Sequence, residues 1–407
     1  MLIPVKDCGN GAETVLPSRA GGRVGVTRLV VTDFRNYPSA RLDLGTGPVV
    51  LTGPNGAGKT NLLEAVSFLS PGRGLRNARL GDVERRGAAG TAPAVAGHGW
   101  VVAAVVETRR GPVRIGTGRD EAAGERRIVR IDGEPAKSQA ALGERLGLVW
   151  LTPQMDRLFI EGPGGRRRLL DRLVFGLDPA HAGRVAAYEQ AMRERSRLLR
   201  DGGADPAWIG ALEAVMAEQG TAVAAGRRDA VERLDRACAD AEGPFPRARL
   251  TLNGTIEDWL GDRPALAVEE RFAAALAASR AADGAAGGAT LGPHRSDLSV
   301  THEAKGIPAE LASTGEQKAL LISILLAHAR LQRAIRGEPP LLLLDEVAAH
   351  LDSGRRAALF AILAELESQA WLTGTDPHLF RPLRGTARFL SVADGTLTET
   401  PLTETSP

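Results

Sequence analysis

The sequence predicts an α/β fold, a head built on a buried sheet and interrupted by an inserted, short helical hairpin. Three observations carry that prediction. The apolar stretch "VVLT" (49–52) runs into the glycine loop "GPNGAGKT" (53–60) and then into the helix-like "NLLEAVSFL". Far downstream, "LLLL" (341–344) ends in Asp345 and Glu346, a buried strand with two acids at its end. Between them, from residue 166, strand patterning gives way to arginine- and leucine-rich stretches with apolar residues at helical spacing.

Taken in order, residues 1–23 are Gly/Pro-spotted and aperiodic, and are expected to form a flexible extension. Strands are expected at 24–34, 40–44 and 47–53, then at 100–108, 126–135 and 146–152, the fifth closing on an Asp-Gly turn. Residues 166–201 place Val185, Tyr188, Met192 and Leu199 on one helical face. "DGGADP" (201–206) breaks that helix, and a second runs from Trp208 through Leu212, Val215 and Val223 to Cys238. Two limbs of roughly 30 residues make a hairpin about 45 Å long. "DGAAGGATLG" (283–292) reads as a flexible return to the head. A strand at 296–302, a helix at 314–335, the strand 339–346, a helix at 357–368, a strand at 370–375 and a hairpin at 388–399 follow. The expected domains are therefore a head of 24–165 and 285–390, an arm of 166–284 and a polar tail of 391–407.

The 407 residues are 43% apolar, enough for a large core, and carry a net charge of only +2, so any nucleic-acid surface has to be a local basic patch. Cys8 and Cys238 lie far apart without CxxC spacing, which argues against a disulfide framework or a zinc site and fits a reducing cytoplasm. The longest apolar run, "ALLISILLA" (319–327), is too short to span a bilayer, and the N-terminus lacks a signal-peptide pattern. A soluble cytoplasmic protein with no membrane partner is expected.

"GPNGAGKT" matches the phosphate-loop pattern in its strand–loop–helix setting. Its backbone, from Gly53, Pro54, Asn55 and Gly56 through Ala57 and Gly58, is expected to turn N–H groups onto the phosphates of ATP, helped by the helix dipole. Lys59 is expected to reach the β- and γ-phosphates and the Thr60 hydroxyl to ligate Mg²⁺. Asp345 is expected opposite Thr60 as the second Mg²⁺ residue, and Glu346 as general base toward the attacking water. Two readings stand open for Asp352: a residue that crosses a dimer interface to the nucleotide, or the N-cap of the helix that follows. "LASTGEQKALL" (311–321) starts a helix with a small polar turn suited to an anion, about 250 residues after the phosphate loop.

With these come "DFRNY" (33–37), "LTPQMDRLFIEGPGGRRRLLDR" (151–172) and "LGPHRSDL" (291–298). In this order and spacing, from about residue 24 to 390, the stretches resemble the RecF family of ABC/SMC-type ATPase heads. The resemblance implies that Ser313 and Gly315 belong to a signature loop that contacts the γ-phosphate held by a partner subunit. Two heads would then sandwich two ATPs, as a homodimer that forms with ATP and loosens on hydrolysis. It further implies a weak, DNA-dependent ATPase that binds double-stranded, gapped or junction DNA. RecO and RecR are the implied partners and RecA an indirect one, in repair, replication restart and SOS induction. Three positions depart from the pattern. Gln154 stands where an acid is common, as either the Mg²⁺- and water-sensing glutamine or an incidental polar residue. Ser296 replaces a frequent aspartate. The strand end at 370–375 lacks the γ-phosphate histidine of transporter ATPases, and His378 comes too late.

DNA contacts are expected from the arginines of "GGRRRLLDR", namely Arg166, Arg167 and Arg168 with Arg172, and from Arg73, Arg76 and Arg79 of "RGLRNARL". Arg19, Arg23 and Arg28 are weaker candidates. Such guanidinium groups would hold phosphates without reading bases. The opposing reading is a solvated face paired with Glu161 and Asp171. With 4% aromatics, base stacking is not expected to dominate. A transporter subunit would place its signature roughly 100 residues after the phosphate loop, an SMC-type structural protein needs far longer arms, and about 60 residues after Glu346 leave no room for a fused nuclease domain.

Overall fold

A computed structural model describes residues 23–85, 99–119, 126–202 and 205–400. The expected extension (up to residue 22, with Cys8 and Arg19) and the end of the expected tail (401–407) lie outside the described residues. The first part of the head contains β1 (Gly25–Phe34), β2 (Tyr37–Asp43), β3 (Val49–Thr52), α1 (Lys59–Ser67), α2 (Leu80–Val83), β4 (Val101–Thr108), β5 (Gly111–Arg119), β6 (Arg127–Ile131), β7 (Glu134–Pro135), α3 (Ala140–Arg145) and β8 (Leu148–Leu151). The middle of the chain is α4 (Pro163–Leu177), α5 (His181–Asp201), α6 (Pro206–Ala239), β9 (Ala248–Asn253), α7 (Thr255–Asp262), α8 (Ala265–Ala278) and α9 (Arg280–Ala286). The head resumes with β10 (Asp297–His302), β11 (Ile307–Pro308), α10 (Thr314–Arg336), β12 (Leu341–Leu344), α11 (Ser353–Leu366), β13 (Ala370–Gly374), β14 (Arg388–Ala393) and β15 (Thr396–Glu399).

Among the described residues, one sheet has the order β15-β14-β3-β13-β12-β8 and is parallel apart from β15. Parallel strands are covered on both faces, so their sequences read as unbroken apolar runs. The period of two still shows in what each residue meets. Leu341 and Leu343 face the core shared with β1, β4 and α1, whereas Leu342 and Leu344 face α4, α10 and α11. The first core is capped by an antiparallel sheet, β2-β1-β4-β5-β6-β7. Phe34 meets Phe68 and Trp100 edge-on there, at 5.9 and 5.6 Å between ring centroids.

The hairpin is present, and its first limb differs from the expectation. It breaks into α4 and α5 at Asp178-Pro179-Ala180, because proline ends the backbone ladder there and the Asp178 carboxylate takes the Ala180 N–H at 3.0 Å. The second limb, α6, runs unbroken for 34 residues, about 50 Å. The expected boundaries shift as well. Leu169, Leu170 and Leu173 of α4 pack in the head core, and β9, inside the expected arm, pairs antiparallel with β10 of the head. The return at 283–292 is built rather than loose: Asp283 is buried and takes both the N–H and the hydroxyl of Thr290. β14 and β15 extend the head through residue 399, into the segment expected to be tail.

Candidate functional site

The parallel strands end on one edge, and that edge gathers the chemistry, as open α/β sheets do. The loop 53–58 connects β3 to α1. Two of its glycines are dictated by space as well as by positive φ: a Cβ at Gly53 would strike the Val392 carbonyl oxygen, and one at Gly58 would lie 2.5 Å from Asn36 Nδ2. "DFRNY" braces the loop from outside. Tyr37 donates to the Gly58 carbonyl (3.0 Å), and Asn36 donates to the Ala57 carbonyl (3.1 Å) and accepts from Asn61 (2.8 Å). Arg35 grips Glu64 of α1 with two bonds of 2.8 and 2.7 Å. Lys59 Nζ folds back onto the carbonyls of Gly53 (2.8 Å) and Pro54 (2.9 Å). Burial pushes its ammonium below the ordinary value, opposed by the nearby Glu346 and Asp345 carboxylates.

Across the sheet, Asp345 stands at the end of β12, nearly inaccessible. Thr60 Oγ1 donates within 3.0 Å of its oxygens. Between them runs β13, whose Thr373 hydroxyl donates to Asp345 (2.7 Å) and accepts the Glu346 N–H (2.8 Å). Glu346 needs that support because its φ of 55° is left-handed, a conformation that a residue with a side chain adopts at a cost of about 1 kcal/mol or more. Thr373 was not among the candidates from sequence. Its one signal in the sequence is its place near the end of "AWLTGT" (370–375), a strand end without a histidine.

The remaining candidates fall as follows. Gln154 is exposed on the turn directly after β8, on the same edge as Asp345. Asp352 caps α11, accepting the Arg355 N–H at 2.8 Å, a bond that holds its carboxyl below the usual range. Ser313 caps α10. Its N–H and hydroxyl both go to Glu316 (3.1 and 3.0 Å), whose carboxyl is held down to about 2 by Lys305 and then by Ser313. Ser313, Thr314 and Gly315 are exposed, and a Cβ at Gly315 would meet nothing within 4 Å. Oxygen donors of the kind Mg²⁺ prefers, a hydroxyl and a carboxylate, are together at Thr60 and Asp345, so the residues fit that ion.

The arginine candidates divide. Arg166 is bound bidentately to Asp297 (2.7 and 2.8 Å), Arg167 donates to the Ser296 carbonyl, and Arg172 is stacked 3.6 Å over the Trp150 ring. Arg168 is exposed on the same helix. Arg76 donates to Glu64 (2.7 Å) and Asn61 (2.6 Å), while Arg73 and Arg79 are exposed. The solvated-face pairing with Glu161 and Asp171 is replaced by pairing across the head–arm joint. Asp171 instead binds His181 and Arg227. Arg23 is exposed and Arg28 is paired with Asp43.

Residues 25–396 match the family model described as the RecF/RecN/SMC N terminal domain. The chain is 52% identical over 376 residues to the DNA replication and repair protein RecF of Mesorhizobium japonicum, covering 91% of this chain and 97% of that one. It is 50% identical over 384 residues to the RecF of Brucella suis, covering 93% and 97%. Among solved structures it resembles the recombination mediator protein RecF with ATPrS at a TM-score of 0.78, with 20% identity, covering 93% of this chain and 98% of that one. An SMC head bound to the C-winged helix domain of ScpA follows at 0.54 and 16% identity, with coverage of 93% and 98%. An SMC-type head interrupted by a short arm, together with half-identity over nine-tenths of its length, makes this chain a member of the RecF family of DNA replication and repair proteins.

Proposed function

We propose that the chain binds and slowly hydrolyses ATP as a DNA-dependent switch in recombinational repair. The observation that carries this reading is the convergence of Lys59, Thr60, Asp345, Glu346 and Thr373 at one sheet edge from three separate strands. The loop 53–58 and Lys59 would hold the phosphates. Thr60 and Asp345 would hold Mg²⁺, which neutralises phosphate charge when bound. Glu346, pinned by Thr373, is positioned to take the proton of the attacking water. Gln154, on the same edge, would orient that water. Similar solved structures of the recombination mediator protein RecF, with ATP and with ATPrS in the RecFOR pathway, support ATP as the nucleotide and RecO and RecR as partners. Loading of RecA onto gapped DNA and a role in SOS induction belong to the same reading.

Ser313 and Gly315 present an exposed helix N-terminus away from any commitment except Glu316, which suits a γ-phosphate held by a second copy. Asp352, exposed beside its cap bond, would meet the same partner. Chains carrying Lys59→Met and chains carrying Ser313→Arg should each lose ATP turnover. An equimolar mixture should recover a measurable fraction, because a mixed dimer rebuilds one site from intact halves. If mixed dimers form and turnover stays absent, Ser313 does not act across the interface.

A further inference from the structure

A cavity of about 620 Å³ opens beside the C-terminal end of α1. Arg73, Arg79, Arg126 and Arg127 line it together with Gln139, and no carboxylate does so among the described residues. Other arginines of the same lobe are paired with acids: Arg28 has Asp43, Arg35 and Arg76 share Glu64, and Arg85 has Asp33. Arg73, Arg79 and Arg126 are exposed on the rim with no acid partner among the described residues.

The floor of the cavity is built. Arg127 is buried and donates to the carbonyls of Phe68, Ser70 (3.1 Å) and Gly72 (2.7 Å), to Thr117 Oγ1 (2.7 Å) and to Gln139 Oε1 (3.3 Å). Its acceptors are all neutral, and burial pushes its guanidinium down to about 9. Three of them are the carbonyls that follow α1, so the cation also faces the negative end of that helix dipole. Gln139 spends its carbonyl on Arg127 and Gly72, which leaves its amide NH₂ as a donor at the wall. Three exposed rim guanidinium groups with no carboxylate lining the cavity among the described residues, over a buried guanidinium, favour an anion there.

We infer that this cavity binds a phosphate group carrying two negative charges, either the terminal phosphate of a nucleic-acid strand or a free polyphosphate. A concave site admits a group that projects into it, as a strand end does, better than a phosphodiester lying along a backbone. The role rests on the proposed function, since the anion would sit at one end of α1 while Lys59 and Thr60 occupy the other, about 13 Å away. Arg76 of the same loop joins that end to the phosphate loop through Asn61, Asn36 and the Ala57 carbonyl.

The test uses the full chain with ATP and two gapped duplexes that differ only in a 5′-phosphate or a 5′-hydroxyl at the gap. The phosphorylated duplex should bind roughly tenfold tighter, a preference that the Arg79→Ser/Arg126→Ser double variant reduces to less than twofold. Pyrophosphate should raise the melting temperature of the parent and leave that of the variant unmoved. Stabilisation by pyrophosphate with equal binding of the two duplexes keeps the site and assigns it a free polyphosphate. Equal duplexes with no effect of pyrophosphate overturn the inference. The mixed-chain turnover experiment, run without DNA, reads the ATPase proposal separately.

Discussion

Thr373 shows how much one hydroxyl can decide. It holds the Asp345 carboxylate with its proton and the Glu346 N–H with its lone pair, and so places two acids from neighbouring positions of the chain. Thr373→Val keeps the shape and removes both bonds. Leaving the half-buried Glu346 N–H unpaired should cost about 1 kcal/mol of stability, read by denaturant titration. ATP turnover should fall at least tenfold while nucleotide affinity changes little, because the loop 53–58 is untouched. Thr373→Ser should restore turnover. A valine variant with full turnover would mean that Glu346 holds its left-handed backbone without help. At this scale the sequence was legible where chemistry is local: the loop 53–60 and the Asp345-Glu346 pair each declare themselves within a few residues. Thr373 did not, because its meaning depends on β13 lying between β3 and β12.

At the scale of elements, two buried polar contacts tie helices together. His328 of α10 donates through Nε2 to the Leu173 carbonyl of α4 at 2.8 Å and is fully buried. Burial pushes its imidazole down to about 4 from an ordinary 6.5, so the fold holds it neutral. Below pH 6.5 the unfolded chain takes up a proton that the native chain refuses, so stability falls from there toward pH 4, by about 3 kcal/mol in all. Urea midpoints between pH 7 and 4 should show this loss, and His328→Gln should flatten it. In the arm, Arg195 is buried between Glu213 (2.9 Å) and Asp283 (2.8 Å) and donates to the Leu276 carbonyl. Arg195→Leu leaves two buried acids with fewer partners and should cost about 3–5 kcal/mol, measured by chemical denaturation. Arg195→Lys should recover only part, since one ammonium cannot reproduce the planar fork. Helical periodicity made both limbs legible, yet not these ties, whose partners stand 18 and 88 positions away. The break in the first limb did have a signal, Asp178-Pro179, that periodicity alone passes over.

For the whole molecule, the exposed turn at 313–315 is the clearest test of a working pair. Gly315 has ordinary backbone angles and open space around it, so Gly315→Arg should leave the melting temperature of the isolated chain nearly unchanged. ATP-dependent self-association, followed by light scattering, should nevertheless be lost. Unchanged association would remove the reason to place this turn at an interface. The overall plan, a head with a helical insertion, was readable because both its halves carry apolar runs closed by recognisable chemistry. Its seams were not, since the change in composition at residue 166 falls where α4 still packs in the head core, and β9 and β10 pair although α7, α8 and α9 lie between them in the sequence.

The sheet order has a consequence for how the molecule comes into being. β3, which leads into the phosphate loop, has β13 and β14 as its neighbours, so Val49, Val50 and Leu51 find no strand partner until residues 370–392 have been made. During synthesis that strand waits with both edges open while more than three hundred further residues emerge from the ribosome. A nascent or C-terminally clipped chain therefore carries the full phosphate-loop motif without the strands that flank β3 in the sheet.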